Sequence, residues 1–208
     1  QVGDPVILFS GDGFESAAVL AEIGRRGAAA TVKRRDAVDR ESPLVIHLAQ
    51  GVCASDRMDL VLQKATELGV QSFSPIITTR TVVRLTPERQ ERRETHWQNV
   101  VIAACEQCGR NRIPGVAAAT KFPRFIADAP PDGTRILLAP DGAVGFREVA
   151  VAAPVCVLIG PEGGLTSEER DIAIGAGFVP VRFGPRILRT ETAPLAALAA
   201  LQALYGDC

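Results

Sequence analysis

The sequence predicts an α/β fold with a largely parallel sheet covered on both faces, standing behind a small β-rich segment. From Leu44 onward, compact apolar runs alternate with stretches whose apolar residues recur at helical spacing. Strands that read as unbroken apolar runs are buried on both faces, the mark of a parallel sheet. A length of 208 residues suits one large domain, or one domain plus a small appendage.

Residues 1–42 read differently from the rest. Val6-Ile7-Leu8-Phe9 is strand-like, Gly11-Asp12-Gly13 signals a turn, and Ala17 to Ile23 is a second apolar run. Ala28 to Val32 suits a third strand, with the charged stretch Lys33-Arg34-Arg35-Asp36 after it. About 40 residues are too few for a self-sufficient core, so the unit is expected to lean on the main domain or to be incomplete. Glu41-Ser42-Pro43 marks the expected boundary, giving segments 1–42 and 43–208.

The main domain opens with a strand at Leu44-Val45-Ile46-His47-Leu48-Ala49. A helix follows through Met58, Val61, Leu62, Ala65 and Leu68, stopping at Gly69. Phe73 to Thr78 is the next strand. Thr86-Pro87 then opens a long helix with proline at its first position. Its apolar stripe is Trp97, Val100, Val101, Ala104, Cys105 and Cys108, and Gly109 ends it. Strands are expected at Arg135 to Ala139, Val155 to Gly160 and Val179 to Phe183. Thr166-Ser167-Glu168-Glu169 is a capping box for a helix running to about Ala176. A last helix follows Thr190, with Leu195, Leu198 and Ala199 on one face.

Composition narrows the function classes. Hydrophobic residues at 47% and charged residues at 23% are ordinary for a globular domain. No apolar stretch approaches the roughly 20 residues of a membrane helix, and no secretory signal pattern opens the chain. Five cysteines form no disulfide framework, so a cytoplasmic setting is expected. A net charge of −1 rules out a uniformly basic surface but leaves room for a local nucleic-acid patch. Lysine is rare, at Lys33, Lys64 and Lys121, and arginine suits phosphate through its planar, bidentate donors; codon bias accounts for the same skew.

Two loops carry the strongest chemical signal. Gly160-Pro161-Glu162-Gly163-Gly164 follows a buried strand and precedes a capped helix, where open α/β sheets bind ligands. It is neither a Walker loop nor a dinucleotide fingerprint, and a structural turn explains it equally well. Gly184 to Thr192 repeats the arrangement after the next strand. Arg186 and Arg189 would face one anion if their segment formed a helical turn. Thr190 suits an N-cap, and Glu191 suits the first turn electrostatically. Cys105-Glu106-Gln107-Cys108 has no second cysteine pair for zinc and reads as core packing; no metal is expected. His47 reads as a satisfied core histidine and His96 as a helix-face residue. Gly109-Arg110-Asn111-Arg112 is a basic turn at a helix end, suited both to the helix dipole and to phosphate.

Four spaced motifs resemble the bacterial ribosomal RNA small subunit methyltransferase E family. They are Arg57-Met58-Asp59 with Gln63 to Val70, Ala103 to Arg112, Ile159 to Glu169, and Gly184 to Ala193, spread over residues 43–205. The resemblance implies a SPOUT-type sheet with a C-terminal trefoil knot, which no periodicity reveals. It implies an obligate homodimer and an N-terminal PUA-like β domain for RNA, here expected to lack its first strands and its basic residues. Ser55 stands where a glycine is usual and is expected to cap a helix.

The same resemblance implies S-adenosylmethionine as cofactor and N3-methylation of a uridine in 16S rRNA of the small ribosomal subunit. Leu138-Ala139-Pro140, Ile159-Gly160-Pro161-Glu162-Gly163, and Gly184 with Ile187 and Leu188 would hold the cofactor. Arg186 and Arg189 would stabilise charge on the uracil carbonyls, with Glu191 or Glu162 as base. Arg110, Asn111 and Arg112 would hold RNA, from the partner subunit. Two other readings use the same loops: an enzyme acting on a small nucleotide or metabolite, and a non-catalytic RNA-binding module.

Overall fold

The computed structural model describes residues 1–83, 87–129 and 132–208. Contacts divide these into two compact units, residues 1–41 with 105–113, and residues 42–104 with 114–208. The break falls between Glu41 and Ser42, and the first unit also takes in Cys105–Ile113, which the expected boundary left in the main domain.

The first unit is an antiparallel sheet of β1 (Pro5–Phe9), β2 (Phe14–Gly24) and β3 (Gly27–Ala37), in the order β1-β2-β3. The charged stretch expected to follow the third strand lies inside β3. An exposed strand accepts charge without cost, and here Arg34 pairs with Asp36 at 2.6 Å and Arg35 with Asp12 at 2.5 Å.

In the second unit β4 (Ile46–Gly51) leads into α1 (Ser55–Glu67) and β5 (Ser72–Ile77). Helix α2 (Pro87–Cys108) follows; Thr86, expected to open it, lies outside the described residues. Trp97, Val101, Ala104 and Cys105 of its stripe are buried. Two-residue strands β6 (Gly115–Val116) and β7 (Thr120–Lys121) precede α3 (Phe122–Asp128), a helix that no apolar periodicity announces. Then come β8 (Thr134–Leu138), β9 (Val144–Gly145), β10 (Val155–Ile159), α4 (Ser167–Gly175), β11 (Val179–Arg182) and α5 (Thr192–Tyr205).

Every pairing in this sheet is parallel, in the order β6-β5-β4-β10-β8-β11-β9 with β7 also on β5. All five residues of β10 are buried, as its apolar run predicts. Cys156 and Leu158 join Ala49, Leu137, Phe122, Phe125, Ala173 and Phe178 in one core cluster, under α3 and α4. Alternate residues Val155 and Val157 face the other side, in register with Ile46 and Leu48, where α5 packs on β10 and against α1. The sheet is therefore doubly covered.

The capping box forms as expected. Thr166 Oγ1 accepts the Glu169 N–H at 3.2 Å, and Glu169 Oε2 accepts the Thr166 N–H at 2.9 Å. Glu169 Oε1 also accepts the Thr79 N–H and hydroxyl, at 2.8 and 3.0 Å, so one buried carboxylate fastens two segments. Thr166→Ala is expected to cost about 1 kcal/mol in urea unfolding. Glu169→Ala is expected to cost more, about 2 kcal/mol, because it removes a buried acceptor and strips partners from donors on both segments. Equal costs would contradict the double role.

Two expected caps are placed differently. Helix α1 starts from Ala54, with no side-chain cap, so Ser55 is its first residue rather than its cap. Helix α5 has Glu191 at its N-cap position, also without a side-chain cap bond. Thr190 is drawn instead into a tertiary contact, donating to Gly160 O at 2.7 Å and accepting from Gln50 Nε2 at 3.0 Å. Its hydroxyl thus fastens the segment leading into α5 to the ends of β10 and β4.

Candidate functional site

Strands β4, β10, β8 and β11 end side by side, and the segments after β8, β10 and β11, with Arg57 of α1, surround a cavity of about 520 Å³. Carboxyl ends of parallel strands are where such sheets bind ligands, because the diverging loops leave a crevice with unpaired backbone groups. Apolar walls come from Leu137, Ala139, Ile159, Leu165 and Val181. The backbone comes unusually close behind them: a Cβ at Gly51 would lie 2.4 Å from Pro161 N.

Most of the residues expected to hold a cofactor line this cavity. Leu138, Ala139 and Pro140 form one wall, Ile159, Gly160, Pro161 and Glu162 a second, and Ile187 and Leu188 a third. Gly163 and Gly184 lie outside the lining. Gly163 offers its carbonyl to Arg80 Nη1 at 2.9 Å, and Gly184, at φ +72°, turns the chain out of β11. Arg186, Arg189 and Glu191 also line the cavity. Residues 186–189 are irregular, not the helical turn that would have stacked the two guanidiniums.

Charge is concentrated along one wall. Glu162 Oε1 accepts the Ala54 N–H at 2.9 Å and Arg57 Nη1 at 3.1 Å. Arg57 Nε lies 3.9 Å from Glu191 Oε2, and Arg189 Nη1 4.0 Å from Glu191 Oε1. Glu191 Oε2 is buried and has no hydrogen-bond partner among the described residues. Burial, reinforced by the charges of Glu162 and Glu191, pushes the Cys53 thiol up to about 12. Arg170, another lining residue, donates to Asp141 at 2.7 Å, and that hydrogen bond holds the Asp141 carboxyl below its usual range. Arg80 secures the loop after β10 by donating to the carbonyls of Gly163 and Leu165.

The remaining candidates fall elsewhere. Arg110 and Asn111 are buried inside the first unit, contrary to a role in reaching RNA. Arg110 donates to both oxygens of Glu41, and Asn111 Nδ2 donates to Val38 O at 2.7 Å and Glu15 Oε1 at 3.2 Å. Arg112 is the exposed member of the trio. Burial pushes the Cys105 thiol up to about 11, as core packing requires. His47 Nδ1 meets Ser72 Oγ at 2.5 Å, and burial lowers its pKa. His96 pairs with Asp59 at 2.9 Å. Among the described residues no group of three or more potential metal ligands converges, and no helix is long and apolar enough to cross a membrane.

Arg57, Arg170 and Thr190 are the polar residues of the cavity that the sequence did not assign. Arg57 had two usable cues, its place in the Arg57-Met58-Asp59 motif and in the first turn of a helix directly after a buried strand.

A family model described as an RNA methyltransferase domain matches residues 40–202, which include the whole cavity. A ribosomal RNA small subunit methyltransferase E from Buchnera aphidicola (subspecies Schizaphis graminum) is 32% identical over 205 residues, spanning 98% of this chain and 83% of the relative. The chain belongs to the ribosomal RNA small subunit methyltransferase E family. The Bacillus subtilis member is 31% identical, over 99% of this chain and 85% of its own length. Among solved structures, a Legionella pneumophila methyltransferase in complex with the cofactor SAM superposes with a TM-score of 0.96 at 39% identity, covering 100% of this chain and 86% of that one. The Neisseria gonorrhoeae family member, bound to S-adenosyl methionine, superposes at 0.93 with the same identity and coverage. The largely parallel sheet with a small antiparallel sheet before it is thus the architecture of this family.

Proposed function

We propose that the chain transfers a methyl group from S-adenosylmethionine to N3 of one uridine in 16S rRNA of the small ribosomal subunit. The observation that carries this reading is the cavity at the ends of β4, β8, β10 and β11, walled by the three segments expected to hold the cofactor. The fit is chemical as well as topological. A volume of about 520 Å³ is in the range of nucleotide-sized sites, apolar side chains give a slot for adenine, and loop amides and carbonyls give hydrogen bonds. Ile187, 82% exposed on the lip, supplies an apolar surface for the ring to cover.

The cofactor, when bound, supplies an electrophilic methyl on a sulfonium. The chain must orient uracil, exclude water and accept the N3 proton. Arg186 and Arg189 stabilise charge spreading onto the flanking carbonyl oxygens. Of the two candidate bases, Glu162 is held at the start of α1 by two donors, whereas Glu191 lines the cavity without a hydrogen bond to Oε2. Glu191 is the better acceptor of the N3 proton, and Glu162 serves the cofactor loop.

The family resemblance supports three further features: a homodimer, a trefoil knot formed by the crossing after β11, and a cytoplasmic site of action on the small ribosomal subunit. The first unit corresponds to the PUA-like domain, with Arg112 as its candidate RNA contact.

Labelled methyl transfer to small ribosomal subunits that lack the modification, with the product nucleoside identified, tests the reading. The expected product is N3-methyluridine. A methyl on carbon 5 or on the ribose would refute the chemistry and keep the cofactor; no transfer with intact binding would refute the enzyme.

A further inference from the structure

We infer that Arg57 is a positioning residue that ties the cofactor loop to the proton acceptor, one guanidinium nitrogen holding Glu162 and another facing the buried oxygen of Glu191. The inference rests on the proposed methyl transfer, and it concerns a residue to which that reading gives no role.

The argument begins with Glu191. A carboxylate oxygen buried without a hydrogen bond is costly unless a cation faces it. Arg57 Nε, at 3.9 Å, faces Oε2, while Arg189 at 4.0 Å faces the other oxygen from a side chain that is 79% exposed. Arg57 is anchored far more firmly. It sits in the first turn of α1, three residues from Ala54, and the Ala54 N–H and Arg57 Nη1 converge on the same oxygen of Glu162. A helix start favours an anion there, so Glu162, Ala54 and Arg57 form one fixed unit.

Two chain segments distant in sequence thereby share one guanidinium. Glu162 belongs to the loop after β10, and Glu191 to the crossing that leads into α5. An occupant that seats the first loop also seats Glu162, hence Arg57, hence the cation beside Glu191. Only arginine presents several donors in a rigid plane; lysine offers a single point charge on a flexible stem.

The test measures S-adenosylmethionine binding by calorimetry and kcat on small ribosomal subunits for wild type, Arg57→Gln, Glu162→Gln and the double variant, with melting temperatures throughout. Glu162→Gln is expected to weaken cofactor binding by about tenfold, the loss of one charged hydrogen bond. Arg57→Gln should weaken binding by a similar factor and also lower kcat by about thirtyfold, because Glu191 loses its orientation. Binding losses in the double variant should be less than additive, since both single changes break one contact. Identical effects of Arg57→Gln and Glu162→Gln on binding and kcat would show that Arg57 serves only the cofactor loop and would overturn the link to Glu191. Changes within twofold in both constants would overturn it as well. If Arg57→Gln fails to fold, Arg57→Lys keeps the cation, and the same split is read in it. A wild-type chain that binds the cofactor and transfers no methyl refutes the proposed function rather than this inference.

Discussion

Replacing Arg189 by alanine is expected to cut single-turnover methyl transfer by about 10²- to 10³-fold while the protein stays folded. The reaction places growing negative charge on the uracil carbonyl oxygens as the N3 proton leaves. A guanidinium at the cavity wall offers that charge more than it offers the resting protein. Arg189 lines the cavity, its side chain is 79% exposed, and its recorded ion pair with Glu191 is long at 4.0 Å. Such a residue contributes little to stability, so the melting temperature should barely move. Cofactor binding by calorimetry should persist, since the segments around Ala139 and Gly160 are untouched. A variant that melts like wild type, binds cofactor and turns over at the wild-type rate would remove Arg189 from the chemistry. Arg186, exposed on the same segment, is the control: if it shares the charge, its alanine variant loses rate in parallel.

The contrast between Arg189 and Arg57 shows what was legible in the sequence. Arg189 was legible because it stands in a short segment between a glycine-proline turn and a helix start. Arg57 was not, because its partners Glu162 and Glu191 lie more than 100 residues away, and only the sheet order brings them together. The strands were legible for a related reason. Burial on both faces leaves an unbroken apolar run, and β10 shows that pattern without exception. The capping box of α4 was legible because every group it needs lies within four residues.

Where local rules competed with tertiary contacts, the tertiary contacts won. Thr190 has cap chemistry, yet its hydroxyl makes better use of Gly160 O and Gln50. Arg110 and Asn111 look like a phosphate-binding turn, yet Glu41, Val38 and Glu15 occupy their donors. Helix α3 leaves no periodic signal in the sequence because seven residues containing a proline hold too few turns for a period.

Gly51→Ala is expected to damage the site from behind, at a residue that does not itself line the cavity. Gly51 ends β4, and an added Cβ would lie 2.4 Å from Pro161 N, 2.5 Å from Pro161 Cδ and 2.8 Å from Gly160 C. Two of these are backbone atoms, so no rotamer change relieves the clash. Either β4 shifts within a buried parallel sheet, or the loop after β10 moves away from the cavity. Overpacking of this kind costs about 3 kcal/mol, read as a lower denaturant midpoint. If the loop moves instead, the same energy appears as about a hundredfold weaker S-adenosylmethionine binding. Gly164→Ala separates steric from conformational effects in the same loop. Its Cβ meets nothing within 4 Å, but its φ of +68° strains any other residue. That variant should lose only about 1–2 kcal/mol, and much less affinity. Wild-type stability and affinity in Gly51→Ala would mean that the loop tolerates displacement, and that the close approach of β4 to Pro161 does not shape the cofactor cradle.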